Sequence, residues 1–162
     1  MRSNHVYFWD QAFLEAQKAY AINEVPVGAV IVREGIIVGR GHNQRISKKN
    51  ALLHAEMVAI KNACDQLDVW RLDDCDMYVT LEPCAMCTGA SIESRLRKVY
   101  FAALDEKTGC VLSQYTLLDD KMLSHRVDYE YIPQARCQKI MGDFFETLRD
   151  GAKGDRERCP LP

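Results

Sequence analysis

Apolar and polar positions along the chain follow two periods, one near 3.6 residues and one of two, and each marks an element. From His5 to Ile22, the residues Trp9, Phe13, Ala16 and Tyr20 recur at helical spacing, with Asp10, Glu15 and Lys18 on the outer side. Pro26 stops that helix. Val27 to Val32 is nearly continuous in apolar and β-branched residues, as in a strand covered on both faces, and Glu34-Gly35 turns the chain into a second strand, Ile36 to Gly39. A polar loop then leads to Asn50, an N-cap candidate for a helix over Ala51–Cys64 with Leu53, Met57, Ile60 and Cys64 as its stripe. Met77–Leu81 reads as a strand, Pro83 to about Ser94 as a helix with Pro in its first turn, and Lys98–Leu104 as a further strand. The stretch Asp105–Ser124 is broken by Gly109 and reads as a loop with helical turns, of the kind that lines sites. Arg126–Ile132 alternates Val127, Tyr129 and Tyr131 with charged residues, the pattern of a half-covered edge strand. Pro133 opens a last helix whose Cys137, Ile140, Met141, Phe144 and Leu148 form an apolar face, ending near Arg149 or Asp150.

This order, with strand-helix-strand crossovers after an initial hairpin, predicts an α/β fold: a mixed sheet with helices on both faces. The length of 162 residues suits one domain, placed at residues 1–150, and residues 151–162 read as a disordered polar tail. A formal charge of -2 gives no broad field for a polyanion, so any nucleic-acid contact must come from local patches such as Arg45–Lys49 and Arg95–Lys98. No run approaches a membrane span and no apolar leader opens the chain, so a cytoplasmic protein without a membrane partner is expected. Seven cysteines without a secretion signal argue against a disulfide framework.

Only Cys84 and Cys87 have close ligand spacing; i, i+3 on a helix turns both thiols toward one ion. A lone Cys-x-x-Cys equally suits a redox dithiol or half of a structural four-cysteine site. The chain holds no second close pair to complete the latter, and His54-Ala55-Glu56 upstream supplies an imidazole and a spare acid. Both stretches fall at candidate helix N-termini, where the helix dipole favours thiolate. Three protein ligands with a fourth position for water make a catalytic zinc site. Residues two apart lie about 200° around a helix axis, so Glu56 does not share a ridge with His54 and stands instead as a base beside the metal's water. Zinc-bound hydroxide with such a carboxylate suits hydrolytic deamination of an amidine-like ring carbon. The paired histidines of a peptide-cleaving zinc helix are absent.

His54-Ala55-Glu56 with Pro83-Cys84-Ala85-Met86-Cys87 resembles the signature of the zinc-dependent cytidine/deoxycytidylate deaminase superfamily. The flanks Val25–Val30, Gly41-His42-Asn43, Thr80–Cys84, Asp105–Gly109, His125-Arg126-Val127 and Asp143–Arg149 resemble its bacterial tRNA adenosine deaminase branch, from about Trp9 to Arg149. The resemblance implies a three-layer α/β/α cytidine-deaminase-like fold with a five-stranded mixed sheet. It further implies one Zn2+ per chain, held by His54, Cys84 and Cys87. The implied reaction is adenosine to inosine at the wobble position of a tRNA anticodon stem-loop, by a homodimer, with Glu56 shuttling protons while zinc-bound hydroxide attacks C6. Asn43 would hydrogen-bond the flipped-out base, Asp105 would meet the sugar or backbone, and Val27, Lys107 and Phe145 complete the substrate-binding set. The zinc motif leaves the base open, so a free guanine, cytosine or nucleoside deaminase on the same fold is the alternative. A non-catalytic zinc module that binds RNA is the second.

Overall fold

Residues 2–157 are described by the computed structural model. Helix α1 (Arg2–Ala21) leads into the antiparallel hairpin β1 (Gly28–Arg33) and β2 (Ile36–His42); α2 (Ala55–Leu67), β3 (Cys75–Val79), α3 (Ala85–Glu93) and β4 (Lys98–Phe101) follow. A long loop with one 3-10 turn (Leu117–Asp119) then reaches β5 (Asp128–Tyr131) and α4 (Ala135–Glu157). The five strands form one sheet in the order β2-β1-β3-β4-β5, with β1 antiparallel to β2 and β3, and β3, β4 and β5 parallel. The expected mixed sheet is therefore present, with β5 at an edge.

Strand residues alternate between two cores. Ala29, Ile31, Met77, Val79, Val99 and Phe101 face α2 and α3, where Ala55, Ala59, Ala63 and Ile92 meet them. Val30, Val32 and Tyr78 face α1 and the start of α4, against Phe8, Trp9, Ala12 and Cys137. Helices thus cover both faces, giving three layers.

Several expectations shift. The second helix begins at Ala55, not Ala51, because Asn50 turns its side chain onto its own loop, its Oδ1 accepting the Leu52 N–H at 2.9 Å. The buried face of α2 is Ala55, Glu56, Ala59 and Ala63 rather than the larger stripe of Leu53, Met57, Ile60 and Cys64, whose members are only half-buried. The reason is close packing: β2 presents Gly39 and Gly41, the helix backbone sits where a Cβ would stand, and only small residues fit across that contact. On α1 the buried ridge is Phe8, Trp9, Ala12, Ala16 and Ala19; Phe13 is half-buried and Tyr20 exposed. Glu15, expected outside, is buried, and its carboxylate meets His42 Nδ1 at 3.0 Å and Lys18 Nζ at 2.7 Å. The third helix starts at Ala85, with Pro83 before its cap. Helix α4 continues through Glu157, past Asp150, so the first part of the stretch expected to be a disordered tail is helical. Residues 158–162 lie outside the described residues. Leu148, placed on the apolar face of α4, is exposed.

Candidate active site

Two helices begin at the same end of the sheet. His54 is the N-cap of α2 and Cys84 the N-cap of α3, both in extended backbone and neither using its side chain to cap its own helix. Their side chains turn to one another instead. His54 Nδ1 lies 3.6 Å from Cys84 Sγ and 3.6 Å from Cys87 Sγ, and the three ligand atoms all fall within 4.8 Å of one another. A tetrahedral zinc ion with ordinary Zn–N and Zn–S bonds separates its nitrogen and sulfur ligands by about 3.6 Å, so this donor set fits zinc in both chemistry and spacing. Cys87 is fully buried in the first turn of α3 and closes the bottom of the trio.

The electrostatics favour the same reading. The hydrogen bond with Cys87 draws the Cys84 thiol down to about 4, against the effect of burial and with help from His54. The hydrogen bond with Cys84 raises His54 above its ordinary value, and the Cys84 interaction and burial together push Cys87 up. An imidazole and two sulfurs sharing protons at this spacing are a site where a divalent cation displaces those protons. Cys84 as the N-cap of α3 and Cys87 in its first turn lie at the helix end that favours thiolate.

Glu56 sits in the first turn of α2 and is only 4% exposed. Burial pushes its carboxyl up to about 7, partly offset by its own backbone N–H and by His54 and Cys87. A carboxyl poised there gives and takes protons with little driving force in either direction at neutral pH.

The trio and Glu56 border a cavity of about 150 Å³ lined further by Val25, Val27, Asn43, Arg45, Leu81, Glu82, Asp105 and Thr108. A volume near 150 Å³ holds one aromatic ring of benzene's size, room for the six-membered ring of a single base and not for its nucleotide neighbours. Asn43 is nearly buried; its Nδ2 donates to the Val25 carbonyl at 3.4 Å and its Oδ1 accepts the Arg45 N–H at 3.3 Å. Asp105 caps its own turn, its Oδ1 accepting the N–H groups of Lys107 at 3.0 Å and Thr108 at 3.1 Å.

His54, Glu56, Cys84, Asn43, Val27 and Asp105 are thus brought together, with Cys87 directly beneath. Lys107 and Phe145 are not part of the cavity wall; Lys107 is exposed on the Asp105 turn, and Phe145 is exposed on α4, packed edge-on against Phe144. Thr108 and Glu82 line the cavity without having been singled out from the sequence, and Arg45, named there only as part of the Arg45–Lys49 basic patch, lines it too. Thr108 and Glu82 lay inside the flanking segments that carried the resemblance, and their position there was the available signal.

Residues 2–103 match the family model described as the cytidine and deoxycytidylate deaminase zinc-binding region. The chain belongs to this deaminase family. A tRNA-specific adenosine deaminase of Aquifex aeolicus is 46% identical over 144 residues, covering 89% of this chain and 95% of that one. The protein of the same name from Bacillus subtilis is 40% identical over 151 residues, covering 93% and 94%. Among solved structures, one from a study of A-to-I editing by tRNA deaminases at the wobble position of transfer RNA matches with a TM-score of 0.76 and 36% identity, over 79% of this chain and 98% of that chain. A guanine deaminase structure from Bacillus subtilis matches with a TM-score of 0.60 and 27% identity, covering 90% and 94%. The matched zinc-binding region spans His54, Cys84 and Cys87, the trio whose ligand atoms could hold a metal ion.

Proposed function

We propose that this chain hydrolyses adenosine to inosine at the wobble position of a tRNA anticodon. The observation that carries the reading is buried Glu56 beside the His54, Cys84 and Cys87 trio, in a chain about nine-tenths of which aligns with relatives named tRNA-specific adenosine deaminase.

The zinc ion held there supplies Lewis acidity and an activated water near neutral pH. The Glu56 carboxylate would take a proton from the attacking water and deliver it to N1 of the adenine ring as the water's oxygen adds to C6. It then passes the second proton to the exocyclic amine, which leaves as ammonia and leaves a C6 carbonyl and an N1–H. The two roles need a carboxyl that is free in one step and protonated in the next, as the environment of Glu56 provides. Val27 forms an apolar wall against the ring, Asn43 hydrogen-bonds its edge, and Asp105 meets the sugar. Lys107 and Phe145, exposed and off the cavity, meet the flanking nucleotides of the loop, whose unpaired bases are accessible to such contacts.

A homodimer is part of the same reading; half-buried Ile60 and exposed Trp70 and Val69 beside α2 offer it an apolar surface. So is a cytoplasmic setting, supported by the free thiols of all six described cysteines. None of the described helices is long and apolar enough to cross a membrane.

The likeness to a guanine deaminase favours a second reading, deamination of a free base. Incubation of the zinc protein with an anticodon stem-loop bearing adenosine at the wobble position, and separately with free adenosine, cytidine and guanine, distinguishes the two. Inosine in the RNA by mass spectrometry is expected; turnover of a free compound with none in the RNA overturns the tRNA reading.

A further inference from the structure

We propose that Glu82 is the positioning residue of this site, a buried carboxylate that holds the 105–113 loop, and with it Asp105 and Thr108, against the pocket. This rests on the function proposed above. Glu82 follows β3 and stands two residues before Cys84; its N–H donates to the Ala103 carbonyl at 2.8 Å, which fixes it to the end of the sheet. Its Oε1 accepts the N–H groups of Val111 at 3.1 Å, Leu112 at 2.7 Å and Ser113 at 2.9 Å. Its Oε2 accepts the Asp105 N–H at 3.1 Å and the Ser113 hydroxyl. Five donors from one loop therefore converge on a side chain that is 2% exposed.

A loop is ordinarily held by apolar packing or by pairing with a strand. Here Cys110 and Val111 are buried, while Leu112 and Tyr115 stand exposed, so the backbone N–H groups supply much of the anchorage. Hydrogen bonds to an ionised acceptor are about twice as strong as neutral ones, and a neutral amide at the same place offers one acceptor oxygen instead of two. The five contacts also span the loop from its first residue to its ninth, counted from Asp105 to Ser113, so it is held at both ends rather than hinged at one. Asp105 at one end and Thr108 between the ends stand on the cavity wall with His54 and Glu56. Movement of Glu82 reaches the substrate through them, while His54, Cys84 and Cys87 are placed by the starts of α2 and α3, Cys84 also pairing with Gly109 of the loop.

The test uses zinc-loaded full-length protein and two variants, Glu82→Gln and Ser113→Ala, with hydrogen exchange of peptides covering residues 105–113 as a readout independent of turnover. Glu82→Gln is expected to keep one zinc per chain, to speed exchange across the loop by about tenfold or more, and to raise KM for the stem-loop by a similar factor with a smaller fall in kcat. Ser113→Ala, which removes one partner at the loop's end, moves exchange and KM in the same direction by less. Unchanged exchange and KM in folded, zinc-loaded Glu82→Gln overturns the proposal, as does a fall in kcat alone. If Glu82→Gln does not fold, Ser113→Ala decides by the same two readouts. A wild-type enzyme that forms no inosine would count against the proposed function, and the exchange measurement would still decide the role of Glu82.

Discussion

Cys84 and Gly109 pair in an isolated antiparallel bridge, which ties the turn carrying a candidate metal ligand to a loop that lines the pocket. The Cys110 N–H donates to the Pro83 carbonyl at 2.9 Å beside it. A Cβ on Gly109 would collide with the Glu82 carboxylate and the Asp105 carbonyl, so this close approach admits glycine alone. Gly109→Ala is expected to cost about 1–3 kcal/mol, the usual range for overpacking, read as a lower denaturant midpoint with unchanged slope. Gly142, on α4 with open space around it, gives the contrasting outcome: Gly142→Ala should gain roughly 0.5–1 kcal/mol from helix propensity.

Glu56→Gln keeps the shape of the side chain and removes its capacity to take a proton. Inosine formation should fall by at least about 10²–10⁴, the usual contribution of a general acid–base group, while elemental analysis still finds one zinc per chain. A variant that lost its metal along with its activity would contradict the role assigned to Glu56, because its carboxyl is not among the ligand trio.

Chelation should abolish turnover, and added zinc should restore it. Because the metal binds the folded state, zinc loss is also expected to lower the melting temperature, which scanning calorimetry reads directly. Cys87→Ser should weaken zinc binding, since the buried sulfur at the base of the trio is replaced by a hydroxyl that is a poor zinc ligand.

With a net charge of -2, the proposed function requires RNA to be held by local basic groups, and Lys48 and Lys49 stand exposed on the loop next to Arg45. Stem-loop affinity should fall as salt rises. The double variant Lys48→Ala/Lys49→Ala is expected to reduce the slope of log affinity against log salt by about 1.4, two phosphates at roughly 0.7 each for a single strand. Fluorescence anisotropy over a salt series measures it, and an unchanged slope would remove this loop from the RNA-binding face.

The residue types and spacing of His54, Glu56, Cys84 and Cys87 pointed to metal chemistry before any fold was known, because they leave one acid over beside three candidate zinc donors. The continuous apolar run of Val27–Val32 and the alternation of Arg126–Ile132 likewise located an interior and an edge strand, since burial on two faces gives an unbroken apolar run and burial on one face a period of two. What local pattern could not supply was decided by contacts distant in sequence. Asn50 looked like a helix cap, but its side chain was claimed by its own turn, and His54 became the cap. Glu15 looked like an exposed helix acid, but it is buried and paired with a histidine from β2, and the near-complete burial of Glu56 was likewise not written in its spacing. Glu82 carried no local signal of its role, because its five donors lie more than twenty residues away and meet it only when the chain has folded. A sequence states which groups are present and how they repeat. Burial and long-range hydrogen bonding, which set each group's protonation and position, exist only in the folded chain.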